Sequence, residues 1–162
     1  MWTEMVSPIG PIRLTARGTA LTGVFMLKHK YGPVGFPAEE RGESAVLDEA
    51  GAQLAAYFAG TLRDFDLPLE PDGSDFQRQV WDELRGIPFG ETTSYLEIAK
   101  RIGDARHVRA VGTANGRNPI SIIIPCHRVV GSDGSLVGYG GGLERKRWLL
   151  DHETRVAGVV LL

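Results

Sequence analysis

Cysteine is almost missing from these 162 residues: there is one, Cys126. A single thiol excludes an intramolecular disulfide and a cysteine-rich zinc site, so the fold must rest on its core. No apolar run approaches the ~18 residues that would span a membrane. The N-terminus does not combine a basic start with a long apolar stretch, and this reads as a soluble, intracellular, cytoplasmic chain. A large charge of either sign is also lacking, with 18 Lys plus Arg against 20 Asp plus Glu and a net of −2. That balance excludes a highly basic nucleic-acid coat protein and an acidic tail protein, though not a local basic stripe. There is no internal repeat and no low-complexity segment. What remains is an ordinary globular composition, 43% hydrophobic and 23% charged, enough for one average domain or two small ones.

Two regions differ in texture. Residues 1–71 carry 6 basic and 9 acidic side chains, whereas residues 72–162 carry 12 and 11. Between them Leu67-Pro68-Leu69-Glu70-Pro71-Asp72-Gly73 has the composition of a linker, which sets the expected domain boundary. In the first region the runs 11–16 and 20–27 flank Gly18, and Ser7-Pro8-Ile9-Gly10 is a turn signal after another β-prone run. Together they predict a small antiparallel sheet. Residues 28–43 are rich in Gly, Pro and charge and are expected to form a mobile loop. Leu47, Ala50, Leu54, Tyr57 and Phe58 recur at helical spacing, with Gly60 as a stop. No cluster of catalytic residue types occurs here, so this region reads as a scaffold.

The second region is mostly helical. Phe76, Val80, Trp81 and Leu84 share one apolar face behind a Ser74/Asp75 cap, and Pro88 lies past the end. Ser94-Tyr95-Leu96-Glu97 has the capping-box pattern and opens a helix to about residue 102. After Gly103-Asp104-Ala105 a second helix is predicted over 106–115, with Val108, Val111 and Ala114 able to face a core. Two short helices joined by a glycine-containing turn form a helix-turn-helix pattern. Many helical hairpins bind nothing, so this pattern alone does not imply nucleic acid. Next come Asn118-Pro119 and the apolar run Ile120-Ser121-Ile122-Ile123-Ile124, which has the pattern of a short buried strand. A last helix over about 143–153 follows Gly138-Tyr139-Gly140-Gly141-Gly142.

Free cysteines are ordinarily small buried hydrophobes. Cys126 has an unusual setting: it ends the apolar run, follows Pro125 and precedes His127 and Arg128. Polar groups where an apolar run stops point to an exposed electropositive pocket, the setting that stabilises a thiolate. His127 is a candidate base. Adjacent residues of an extended chain point to opposite sides, so the pair can cooperate only through a backbone turn or a bridging water.

The segment Ile124-Pro125-Cys126-His127-Arg128-Val129-Val130 resembles the reactive-cysteine signature of the O6-alkylguanine-DNA alkyltransferases. The resemblance extends in order through Phe89-Gly90-Glu91-Thr92-Thr93-Ser94-Tyr95, Arg109-Ala110-Val111-Gly112, Asn118-Pro119 and Tyr139-Gly140-Gly141-Gly142, and on to Trp148-Leu149-Leu150-Asp151-His152-Glu153. Over residues 1–71 the similarity is diffuse. It implies an α+β protein with a small ribonuclease H-like N-terminal domain (1–71) bearing an antiparallel sheet. The C-terminal domain (72–162) is implied to be mostly helical, of winged-helix or helix-turn-helix type.

The same resemblance implies roles. Cys126 takes the alkyl group from guanine O6 onto its sulfur. His127 acts as base through a water and is held by Glu153, and Asn118 fixes the histidine and the turn before the cysteine. Tyr95 donates toward the base as the bond breaks. Backbone groups of Cys126 and Val129 read the extruded guanine, Tyr139 and Gly140 cover it, and Ser121 helps shape the alkyl pocket. DNA is met in the minor groove by Tyr95, Arg109, Ala110, Gly112, Thr113, Ala114 and Arg128, with Arg109 filling the gap left by the lesion. The run 109–116 is mostly small residues, a slim face suited to a narrow groove with little base readout. Segment 100–128 holds six basic residues against one acid, Asp104, enough for salt-dependent non-specific affinity. The expected reaction is one stoichiometric transfer per molecule from O6-alkylguanine, and from O4-alkylthymine, in duplex DNA. The protein is expected to be monomeric, with binding along DNA open to cooperativity, and to need no cofactor and no metal. Gly140 and Ser121 depart from the serine and proline of some relatives, which bears on tolerance of bulky adducts. A non-transferring lesion binder, a Cys–His hydrolase and a plain DNA-binding regulator are the rival readings.

Overall fold

The computed structural model describes residues 1–27, 32–33 and 35–158. Three antiparallel strands, β1 (Trp2–Met5), β2 (Ile12–Arg17) and β3 (Ala20–Met26), form a sheet in chain order. Alternation decides its inner face: Ile12, Leu14 and Ala16 are buried along β2, with more exposed residues between them. Helix α1 (Ala45–Phe58) covers that face with Leu47, Ala50, Leu54 and Tyr57. Ser44 caps its start by accepting from Leu47 N. Gly60, at φ +82°, takes the left-handed turn that ends it. Of the loop expected over 28–43, residues 28–31 and 34 lie outside the described residues. Its later part is tied to β1, since Trp2 Nε1 donates to Pro37 O and Gly42 N to Trp2 O.

Within the stretch read as a linker, Leu67 is buried. Leu21 N donates to Pro68 O, and Glu70 N donates to Leu21 O. The same open edge of β3 receives the second half of the chain, with Val24 N donating to Pro119 O and Ser121 N to Val24 O. One hydrophobic core therefore runs from the sheet through α1 to the helical half and reaches Cys126.

That half contains α2 (Asp75–Leu84), β4 (Thr93–Ser94), α3 (Tyr95–Arg101), α4 (Val108–Gly116), β5 (Val129–Val130) and α5 (Leu143–Ala157). Ser74 and Gln77 form a reciprocal capping box on α2, and Ser94 caps α3. A 3-10 turn at Ala105–His107 links α3 to α4, completing the helix-turn-helix. Trp81 Nε1 donates to Ala114 O and fastens α2 beneath α4. β4 and β5 pair in parallel. Helix α5 runs past the expected end at 153 and places Val156 over Gly60. Residues 159–162 of the apolar tail lie outside the described residues.

Candidate active site and nucleic-acid interface

The apolar run before Cys126 is not a strand. Only Ile120 bridges to the sheet, and Ile122 adopts φ +73° although it is β-branched and fully buried. Such backbone stores on the order of 1–3 kcal/mol and persists only where its surroundings over-determine it. Asn118 is the local determinant. Its Oδ1 accepts from Ile120 N at 3.0 Å, and its Nδ2 donates to Ile124 O at 2.8 Å. Two tight backbone bonds, Ile123 N to Ser121 O and Cys126 N to Ile124 O, wind the chain into the 3-10 turn Cys126–Arg128. That winding removes the objection that neighbours in an extended chain face apart. Asn118 secures the turn, but no hydrogen bond joins it to His127.

Cys126 is buried rather than exposed as its sequence context had implied, with 3% of its surface accessible. Burial pushes its thiol up to about 11, against opposing pulls from Asn118 and Lys146, so near neutrality it is a thiol that needs a base. His127, fully buried, supplies a basic atom. Its Nε2 lies 2.6 Å from Glu153 Oε2, while its Nδ1 is buried with no hydrogen-bond partner among the described residues. Burial lowers the imidazole pKa more than Glu153 raises it, so the ring is neutral, with Nε2–H donated to the carboxylate and a free lone pair on Nδ1.

Glu153 is a hub. Oε2 accepts from His127, from the Tyr57 hydroxyl at 2.6 Å and from Arg128 Nη2 at 3.1 Å. Oε1 accepts from Arg128 Nε at 2.8 Å and Gly90 N at 3.2 Å. Burial alone would raise this carboxyl, yet His127 and Arg128 outweigh it and hold it well below the usual carboxylate range.

Two expected DNA contacts are corrected here. Arg128 is turned inward by the 3-10 turn and is 6% exposed, its guanidinium shared between Glu153 and Ile87 O. Ala114 lies on the inner face of α4, 2% exposed under Trp81. The basic segment thus presents less charge than its composition implied, since Arg106 also pairs with Asp104 at 2.9 Å.

Six of the remaining positions line one cleft. A cleft of about 780 Å³ brings together Arg109, Gly112 and Thr113 of α4 with Tyr95, Tyr139 and Gly140. Ala110 is exposed on the same helix. The Tyr95 hydroxyl donates to Val137 O at 2.8 Å and stays protonated, since burial and then Cys126 push its pKa up to about 12. The Ser121 and Tyr139 hydroxyls are buried and have no partner among the described residues. Val129 O accepts from Lys146 Nζ at 2.6 Å.

Lys146, Asn115 and Tyr57 were missed by sequence reasoning. Lys146 is fully buried, its ammonium bound by Val129 O, Val137 O and Gly138 O, and burial lowers its pKa to about 8. In the run Arg145-Lys146-Arg147 nothing distinguishes it from its solvated neighbours. Asn115 donates to Cys126 O at 3.3 Å from inside α4, in a stretch of small residues that masked it.

Residues 1–71 match the model of the ribonuclease-like domain of 6-O-methylguanine DNA methyltransferase, and residues 75–155 match that of its DNA-binding domain. The chain belongs to this family. It is 51% identical over 149 residues to the methylated-DNA–protein-cysteine methyltransferase of Mycobacterium tuberculosis, covering 91% of this chain and 88% of that one. The protein of that name from Methanosarcina barkeri is 52% identical over 147 residues, covering 91% and 92%. Among solved structures, that of Mycobacterium tuberculosis OGT in complex with DNA superposes with a TM-score of 0.87 at 48% identity, covering 96% of this chain and 93% of that one. An O6-methylguanine DNA methyltransferase from Methanococcus jannaschii superposes at 0.70 and 29% identity, covering 99% and 96%. The two matched stretches leave residues 72–74 between them. Among the described residues no helix is long and apolar enough to cross a membrane.

Proposed function

We propose that this protein repairs alkylated DNA directly, moving the alkyl group of O6-alkylguanine, and of O4-alkylthymine, onto Cys126. The observation that carries this reading is the neutral His127, anchored to Glu153 with a free, buried Nδ1 next in sequence to the sole thiol. The Cys126 proton passes through a water to Nδ1. The sulfur attacks the alkyl carbon, the C–O6 bond breaks, and its electron pair stays on the guanine. Tyr95 exchanges its bond to Val137 O for the departing base and donates a proton to it. The proton held on Nδ1 then returns through water to Tyr95, so the net change converts thiol plus alkylguanine to thioether plus guanine. A thioether is a poor leaving group and no second nucleophile is proposed, so each molecule acts once and needs no cofactor or metal.

DNA enters the cleft beside α4, whose small residues suit the minor groove. The lesion base turns out of the stack toward Tyr139 and Gly140, a step that costs a few kcal/mol. Arg109, exposed at the start of α4, fills the space the base leaves. The protein acts as a monomer in the cytoplasm, with the DNA, and binding along it is open to cooperativity. The test is to incubate it with an oligonucleotide containing O6-methylguanine and weigh the products. The expected gain is about 14 Da, one CH2, on the peptide bearing Cys126, stopping at one equivalent. Turnover beyond one equivalent, or a gain that survives Cys126→Ser, would sink the reading.

A further inference from the structure

The first turn of α5 grips the loop before it from two sides. Lys146 holds the carbonyls of Val137 and Gly138 from within. Arg145, one residue earlier, points the other way and reaches the N-terminal half. Its Nε donates to Ile9 O at 3.1 Å, in the turn between β1 and β2. Its Nη1 donates to Leu27 O at 2.6 Å, just past β3, and to Gly141 O at 3.0 Å, in the loop itself. Among the described residues Arg145 forms no ion pair, so its charge is spent on three carbonyls from three separate segments. The fit beneath it is close. A Cβ on Gly141 would clash with Met26 Sδ at the end of β3 and crowd the Tyr139 ring at 2.9 Å.

We propose that Arg145 is a positioning residue through which the N-terminal sheet sets the height of the loop carrying Tyr139 and Gly140, and so the room left for the alkyl group. This rests on the repair reading above for its consequence, though not for its geometry. The planar guanidinium suits the task because its donors are fixed relative to one another, so three segments bound to it cannot drift independently. It gives the N-terminal half a part in the reaction beyond scaffolding. Arg145 is not a wall of the cleft that α4 lines, and it touches neither Cys126 nor His127.

The test compares wild type with Arg145→Met, which keeps the stem and removes the donors, and with Arg145→Lys, which keeps the charge but not the fork. Transfer rates are measured for O6-benzylguanine and O6-methylguanine in the same oligonucleotide. Releasing the loop should raise the benzyl-to-methyl ratio in Arg145→Met by about fivefold, the factor one net hydrogen bond is worth, with Arg145→Lys between. General loss of folding or of DNA binding would lower both rates together and leave the ratio alone. Hydrogen exchange over residues 136–142, which requires no substrate, should speed up in both variants while α2 and α4 keep their protection. An unchanged ratio together with unchanged exchange in Arg145→Lys would overturn the proposal, even if Arg145→Met fails to fold. A wild-type protein that transfers nothing would defeat the repair reading alone, and the exchange data would still decide the clamp.

Discussion

At the residue scale, the pKa shifts divide the chemistry between two neighbours. Cys126, raised to about 11, is almost wholly protonated near neutrality, whereas burial lowers His127 from its ordinary value and favours the neutral imidazole. On the proposed mechanism, transfer depends on a lone pair at Nδ1 and is lost when that atom gains a proton. Because the folded-state pKa of His127 is depressed, this loss comes on the acid side, below the ordinary imidazole value of about 6.5. Rates of transfer from free O6-benzylguanine, measured from pH 5 to 8, should show an acid limb with its midpoint under that value. A midpoint at or above it would mean that the base is an ordinary exposed imidazole or another group. Glu153 shifts in the opposite sense to a buried carboxyl on its own, because His127 and Arg128 outweigh its desolvation.

At the scale of elements, α4 does two jobs on opposite faces. Val111, Ala114 and Asn115 point inward, onto the core and the Cys126 backbone, while Arg109, Ala110 and Thr113 remain exposed. Less than two turns of helix separate Asn115, which holds the turn at Cys126, from Arg109, the proposed DNA contact. Arg109→Ala should accordingly slow repair in duplex DNA at least tenfold while leaving reaction with free O6-benzylguanine within about twofold, because filling the vacated stack matters only in the duplex. Equal losses with both substrates would show that Arg109 acts elsewhere. The turn between Asn118 and Cys126 is the other element that matters. It has no regular secondary structure, and a strained Ile122 is kept in place by one amide side chain.

At the scale of the whole molecule, the two halves share both a core and a charge network. Tyr57 on α1 reaches Glu153 on α5 across 96 positions of sequence, and Arg145 ties α5 back to the sheet. Tyr57→Phe removes one charge-assisted bond and little volume. It should lower unfolding stability by about 1.5–3 kcal/mol in urea titrations and slow transfer severalfold by loosening the carboxylate that orients His127. Unchanged stability would show that the hydroxyl contributes nothing across the two halves.

Local pattern and chemistry sufficed for much of this. The alternation in β2, the spacing of α1 and α2, the serine caps, the helix-turn-helix and the motif around Cys126 all lie within short windows, where periodicity and residue type carry the signal. Tertiary structure decided what depends on neighbours distant in sequence. The run 120–124 has the composition of a buried strand, but pairing with β3 at Ile120 and the grip of Asn118 bend it into a turn. The resemblance set Arg128 and Ala114 against DNA, yet both are buried, Ala114 on the core face that the helical spacing had allowed it, because burial is set by what packs over a residue. The sequence by itself, through the resemblance of the segment around it, pointed to the thiol beside His127, since a family that transfers alkyl groups to cysteine has no other cysteine to use here. Only the folded chain decided that this thiol is buried with its pKa raised, that burial lowers the pKa of His127, and that Tyr57 and Arg145 join segments from opposite ends of the chain. Each of these depends on desolvation and on hydrogen bonds between segments that meet only in the fold.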